Sequence, residues 1–225
     1  MDSTYKTNKY RLPLLEIVGV TSTGLTFSAA FVLMSSEREN NYTWALQKLR
    51  GLFFRGDVYP TVIVSDRDLA LMNVIQNVFP EACNLLCRFH INKNVKVKCK
   101  MLVHPREAWD VVMKAWTSVI DCKDCEAFPK CVEGFESACL AWPIFFEYVR
   151  KTWITPHKEK FVFAWTNKVM HMGNTTFRNE NVNRMASHPV YKFFPNCKSD
   201  AGHPVHTNFV FSDEIQRHFA TQTSN

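Results

Sequence analysis

Residues 59–80 read YPTVIVSDRDLALMNVIQNVFP, and the order of patterns inside this stretch sets the fold class. Val62, Ile63 and Val64 form a short continuous apolar run, the mark of a strand buried on both faces. Leu71, Val74, Ile75, Val78 and Phe79 then recur at helical spacing until Pro80 stops the helix. Upstream, 14–20 and 25–34 are apolar, partly β-branched runs around the turn-forming TSTG, which reads as a hairpin. Between hairpin and strand, Tyr42, Ala45, Leu46, Leu49, Leu52 and Phe53 keep helical period, with Asn40 or Asn41 placed to cap the start. Downstream, CNLLCRFH at 83–90 is a further short strand candidate. Hairpin, helix, strand, helix, strand is an α/β pattern, neither a bundle nor a sandwich.

From about residue 104 the texture changes. Trp109, Val112, Met113, Trp116, Val119 and Ile120 keep helical period, as do Phe135, Cys139, Trp142, Phe146, Val149 and Trp153. No strand candidate interrupts this block until residue 161. Past residue 173 the text is rich in Asn, Pro and His and has no sustained period, so it reads as loop or poorly ordered chain. The expected organisation is therefore an α/β segment at 1–103, a helical block at 104–172 and an irregular tail at 173–225.

Composition narrows the class. The 225 residues are 46% hydrophobic, enough for a sizeable core. No apolar run approaches the length of about 18 residues that reads as a membrane span. The first thirty residues lack a basic-then-apolar signal pattern, so secretion is not expected. Eight cysteines at irregular spacing read as reduced thiols, not as a disulfide framework. The net charge of +6 fits a polyanion partner without demonstrating one.

Several residues have the chemistry of a site. Asp66 ends the buried strand and stands immediately before a helix, a position where an α/β sheet holds a side chain at an open crevice. The simpler role for Asp66 or Asp68 is to cap that helix, and spacing alone favours the cap. Asp2 alone means little, since chain termini are usually poorly held. NKNVKVKCK gathers Lys93, Lys96, Lys98 and Lys100, with Arg88 just before. Such a cluster suits phosphate contact and equally suits a solvated helix face. Cys122, Cys125 and Cys131 form a C-x-x-C plus one, where loop thiols are a simpler reading than zinc.

Three separated stretches, DSTYKTNKYRLPLLEIVGVTSTG, SERENNYTWALQKLR and YPTVIVSDRDLALMNVIQNVFPEACNLLCRFHINKNV, together resemble the transposase domain of Mutator-like elements. The same domain occurs in plant transposase-derived transcription factors of the far-red-response type. The resemblance runs from residue 2 to about residue 176. It implies a ribonuclease H-like fold, of the kind that carries a DDE acid triad, with an all-helical insertion. It also implies DNA transposition by metal-dependent strand cleavage and transfer. Three carboxylates would hold two Mg²⁺ or Mn²⁺ ions about 3.5–4 Å apart, which requires shared oxygen ligands. Carried over, the first acid matches Asp2 and the second Asp66, both as metal ligands. The family's Cys-x-x-His motif matches Cys87 and His90. Two such side chains do not close a zinc site, which takes four ligands, so a structural role is expected there and zinc is not. DNA is the implied partner, transposon ends in particular, the nucleus the implied location, and a homo-oligomer is allowed though no interface is marked.

Two departures qualify the resemblance. In the family an apolar strand leads into the first acid, whereas here Met1 alone precedes Asp2, so a sheet truncated at its N-terminal side is expected. After Thr176 the text leaves the family pattern: matching Glu180 to the third acid needs a one-residue gap, and Pro189 would end its helix soon after. Three functions follow as expectations. The first is a piece of a DDE transposase catalytic domain with little or no activity as given. The second is a domesticated non-catalytic nuclear module that binds DNA or regulates transcription, and the third a degenerate transposon fragment.

Overall fold

The computed structural model describes residues 1–4, 12–20, 26–53, 59–169 and 208–211, with backbone alone at 2, 4, 26 and 208–211. In chain order the strands are β1 (Asp2–Thr4), β2 (Leu14–Val20), β3 (Thr26–Leu33), β4 (Val62–Ser65), β5 (Cys83–Leu86) and β6 (Asn208–Phe211). The helices are α1 (Glu39–Arg50), α2 (Leu69–Val78), α3 (Arg88–Leu102), α4 (Ala108–Ile120), α5 (Phe128–Ala138), α6 (Pro143–Val149), α7 (Thr155–Phe161) and α8 (Phe163–Thr166). A π-helical turn at Arg150–Ile154 joins α6 to α7. The chain is mixed α/β and divides into two units, Met1–Ala82 with Phe177–Asn225, and Cys83–Thr176.

In the first unit the expected hairpin forms as an antiparallel pair, Leu14 opposite Leu33 and Val20 opposite Thr26, with an irregularity between Ile17 and Val18. The strand alternation sends Leu15 and Ile17 to one face, where they share a core with Ala30, Val32, Leu46 and Ile75. Leu14, Phe31 and Leu33 make a smaller cluster with Leu12. Gly19 lies opposite Phe27, and the ring occupies the space where a side chain at 19 would begin. TSTG lies outside the described residues.

Two strands extend this hairpin where periodicity gives no warning. The three residues of β1 pair antiparallel with β2, Asp2 opposite Glu16 and Thr4 opposite Leu14. A strand therefore forms at Asp2–Thr4, a polar stretch whose strand character comes from pairing with β2 and not from periodicity. From the tail, β6 pairs antiparallel with β3, Ala30 opposite Phe211, so the tail contributes a strand.

Helices α1 and α2 bury Tyr42, Ala45, Leu46, Leu71, Val74 and Ile75 in the same core. Contrary to expectation, no asparagine caps α1. Arg38 holds the cap position without a side-chain bond, and Asn41 lies inside the first turn, its Nδ2 donating 2.7 Å back to the Ser36 carbonyl. At the other end Arg50 donates to the Val78 carbonyl at the end of α2, a favourable place for a cation, and its guanidinium stacks 3.8 Å from the Tyr59 ring centre. Strand β4 alternates, with Ile63 and Ser65 buried and Val62 and Val64 half-buried. The run of three β-branched residues thus marks a strand with one fully buried side, not two.

The second unit is helical after β5. The strand expected over 83–90 ends at Leu86, and α3 begins at Arg88, so Cys87 and His90 sit at a strand-to-helix junction. An aromatic cluster forms the core. Trp116 lies 5.6 Å from Phe135 and 6.0 Å from Phe161 between ring centres, and Phe135 reaches Phe145 and Phe146. The single stripe expected from Phe135 to Trp153 is cut at Cys139–Trp142, since Pro143 opens a new helix and cannot continue an old one. Around residue 161, where the pattern allows a strand, the chain stays helical through α7 and α8. Burial of Cys139, with Cys99 beside it, pushes its thiol up to about 12. Among the described residues, no helix is long and apolar enough to cross a membrane.

Candidate functional site

The end of β4 settles which aspartate caps α2. Asp68 is the cap: its Oδ1 accepts the Leu71 N–H at 3.0 Å and its Oδ2 accepts the Tyr42 hydroxyl at 3.2 Å. Asp66, directly after Ser65, precedes that cap by two residues, and its Oδ1 is shielded from solvent. Spacing does not separate the two acids; the backbone turn between strand and helix does.

Around Tyr42 the polar groups interlock. Ser3 donates to the Glu37 carboxylate and also hydrogen-bonds the Tyr42 hydroxyl. Burial, then the negative charges of Asp68 and Glu37, hold that hydroxyl protonated far above the usual tyrosine range. This network ties β1, through Ser3, to α1 and to the N-terminus of α2. Replacing Asp68 with alanine removes both the cap and the Tyr42 acceptor. It is expected to lower the unfolding free energy by about 1–2 kcal/mol in urea titrations, while Asp68→Asn, an equally good cap, loses less. Equal losses for the two variants would show that the cap is not what Asp68 provides.

The first acid is placed by its backbone. The Met1 ammonium donates to the Val64 carbonyl at 2.7 Å, which sets the start of β1 alongside β4. Asp2 follows Met1 by one residue and Asp66 follows Val64 by two, so this one bond places the start of β1 near the end of β4. Glu16, the partner of Asp2 across the β1–β2 pair, is buried at 7% exposure. A buried carboxylate at that position is a feature that sequence reasoning does not single out. Its only signal is an acid inside an otherwise apolar strand. Glu180 lies outside the described residues.

In the second unit the basic cluster rides on α3. Ile91, Val95 and Cys99 are its buried side, and Lys93, Lys96 and Lys100 are exposed. Arg88 is instead paired with Asp121, its side chain 14% exposed, and the Lys98 ammonium lies 5.2 Å from the Tyr148 ring centre. Of these five cations Arg88 and Lys98 are half-buried against their partners, while Lys93, Lys96 and Lys100 are exposed, Lys100 with its ammonium over the Trp109 ring.

Residues 1–94 match the MULE transposase domain. The matched stretch holds Asp2, Asp66, Cys87 and His90. Three curated proteins are similar over about half of the chain. The PKS-NRPS hybrid synthetase cheA of Chaetomium globosum is 38% identical over 103 residues, which are 44% of this chain and 2% of that protein. Protein FAR1-RELATED SEQUENCE 5 of Arabidopsis thaliana is 32% identical over 109 residues, 46% of this chain and 13% of its own length. Protein FAR1-RELATED SEQUENCE 6 of the same plant is 28% identical over 120 residues, 53% of this chain and 16% of its own. The chain therefore spans at most 16% of the length of these relatives.

Within the MULE stretch, Cys87 is 4% exposed and occupies the cap position of α3, and the His90 ring meets Phe89 edge-on at 5.4 Å. Beyond it, Cys131 hydrogen-bonds Cys122, and burial first, then that bond, pushes the Cys131 thiol up to about 11. Cys125 instead turns its sulfur to the Ala164 carbonyl at 3.7 Å. The C-x-x-C plus one is thus a pair and a separate thiol. Transposase domains generally use divalent metals, but among the described residues no three His, Cys, Asp or Glu side chains converge on a common point. Of the two acids at matching positions Asp66 has a described carboxylate and Asp2 a described backbone, and two carboxylates are one short of the three-acid, two-metal donor set. No metal-dependent step follows from these residues by themselves.

Proposed function

We propose that the chain is a transposase-derived DNA-binding domain on a ribonuclease H-like scaffold, in which Asp2 and Asp66 stand at the positions of the first two metal-binding acids. The observation that carries this reading is the match over residues 1–94, which contains both acids. Three features support the scaffold. An antiparallel β1–β2–β3 meander leads into a helix, β4 follows with its Val64 carbonyl accepting from the Met1 ammonium, and α2 comes next. Capping of α2 by Asp68 supports a separate duty for Asp66. As the 225-residue chain, the protein is expected to nick DNA little or not at all. Two carboxylates hold Mg²⁺ weakly, and Glu180, the nearest match to a third, is out of step with the family pattern by one residue.

A plasmid-nicking assay in Mg²⁺ and then Mn²⁺ tests this. The expected result is no difference between the protein and its Asp66→Asn variant. Nicking by the protein that Asp66→Asn abolishes would show an intact catalytic centre and overturn the expectation of inactivity. A second reading, a non-catalytic nuclear regulatory module, is favoured by the similarity to the two FAR1-RELATED SEQUENCE proteins. It requires DNA binding that survives Asp2→Asn and Asp66→Asn together.

A further inference from the structure

Residues 88–106 carry six Lys and Arg and no Asp or Glu, and the structure sorts these cations by use. Arg88 is tied to Asp121 and Lys98 to the Tyr148 ring. Elsewhere in the same unit Arg150 and Lys151 are paired with Glu147, and Lys158 lies over Phe128 and Trp165. Lys93, Lys96, Lys100 and Arg106 are exposed and, among the described residues, have no acidic partner. At steps of three and four residues Lys93, Lys96 and Lys100 share one face of α3, a stripe of about 10 Å at 1.5 Å rise per residue. Past the end of α3, Trp109 of α4 gathers two charges onto one indole. The Lys100 ammonium and the Arg106 guanidinium each lie 5.6 Å from its ring centre.

Two cations drawn to one ring repel each other. The attraction of the π face offsets part of that repulsion, and an anion laid across the pair relieves the rest. The indole is itself held, its Nε1 donating 2.8 Å to the Val103 carbonyl. The acids nearest in sequence, Glu107 and Asp110, are exposed at the start of α4 and bind neither cation among the described residues.

We propose that Lys93, Lys96, Lys100 and Arg106 form a binding stripe for the phosphate backbone of duplex DNA, with Trp109 as the positioning residue that holds Lys100 and Arg106 in line. The choice of DNA rests on the transposase-derived reading above. The stripe itself rests on charge and geometry, and apart from Lys93 it lies outside the residues that match the MULE domain. Binding of this kind carries no base preference, since it reads charge along the backbone and not the edges of the bases.

The test is the salt dependence of binding to a short mixed-sequence duplex, without divalent metal, for the full chain. Changing Lys93, Lys96, Lys100 and Arg106 together to Gln is expected to reduce the slope of log K against log salt by about 0.9 for each phosphate no longer neutralised, about three to four in all. Trp109→Leu frees Lys100 and Arg106 from their shared ring and is expected to reduce the slope by up to about two. Trp109→Phe, which keeps an aromatic face and likewise lacks the indole N–H, is expected to retain it. Thermal melts of every variant separate this from unfolding, because a merely structural Trp109 would change the melt and leave the slope. If the protein binds duplex DNA and the quadruple variant binds with the same slope, the stripe is wrong and the DNA reading stands. If the protein itself binds no duplex, both fall. Tighter binding to an RNA hairpin than to the DNA duplex overturns the choice of DNA.

Discussion

Trp116→Ala is expected to lower the unfolding free energy of the helical unit by about 3–5 kcal/mol, the range for deleting a fully buried large aromatic side chain. Trp116 is fully buried, joins Phe135 of α5 to Phe161 of α7, and donates its Nε1 to Asn92 of α3 at 3.0 Å. One substitution therefore opens a cavity at the meeting point of four helices and strips the Asn92 side-chain Oδ1 of the indole donor. Trp116→Phe refills most of the volume and is expected to recover about half of the loss. Urea titration followed by far-ultraviolet circular dichroism reads both. A loss below about 1 kcal/mol for the alanine variant would mean that the aromatic cluster is not the core of this unit.

Gly19→Val is expected to cost about 1–3 kcal/mol, the usual penalty of overpacking, and to cost almost nothing when Phe27 is alanine. A side chain at 19 would drive its first carbon into Cζ of Phe27. The two residues are direct cross-strand partners, so the ring covers the bare backbone of the glycine. The clash is with the far end of a half-buried side chain, so the ring can swing aside and expose apolar surface. That sets the cost at the low end of what a backbone collision would demand. A double-mutant cycle isolates the interaction. An equal penalty in both backgrounds would place the strain in the backbone at 19 and not in the ring.

The parts of the fold legible in the sequence are those whose signal is local. The hairpin of 14–20 and 26–33 announces itself by β-branched runs around a turn, and α2 by a helical stripe ended at Pro80. Other elements lack such a signal. Strand β1 is three polar residues that become a strand through pairing with β2, and the four residues of β6 do so through β3. The 135–153 period runs on unbroken because α5 and α6 keep their apolar residues in phase across the break at Pro143. Asn41 resembles a cap because a cap and a residue inside the first turn of a helix lie only a few positions apart, and only the loop geometry of 35–38 distinguishes them.

At the candidate site the division is the same. The α/β order, the resemblance of the first 94 residues to transposase domains and the acid-free basic run at 88–106 are properties of neighbouring residues and can be read without coordinates. Which aspartate caps α2 is decided by the turn out of β4. Which cations are drawn in from solvent is decided by partners elsewhere in the chain, Asp121 for Arg88 and Tyr148 for Lys98, while Lys100 and Arg106 stay exposed beside Trp109. A side chain's charge is written in the sequence, but its partner is chosen by the packing of helices, and that packing is a property of the whole unit.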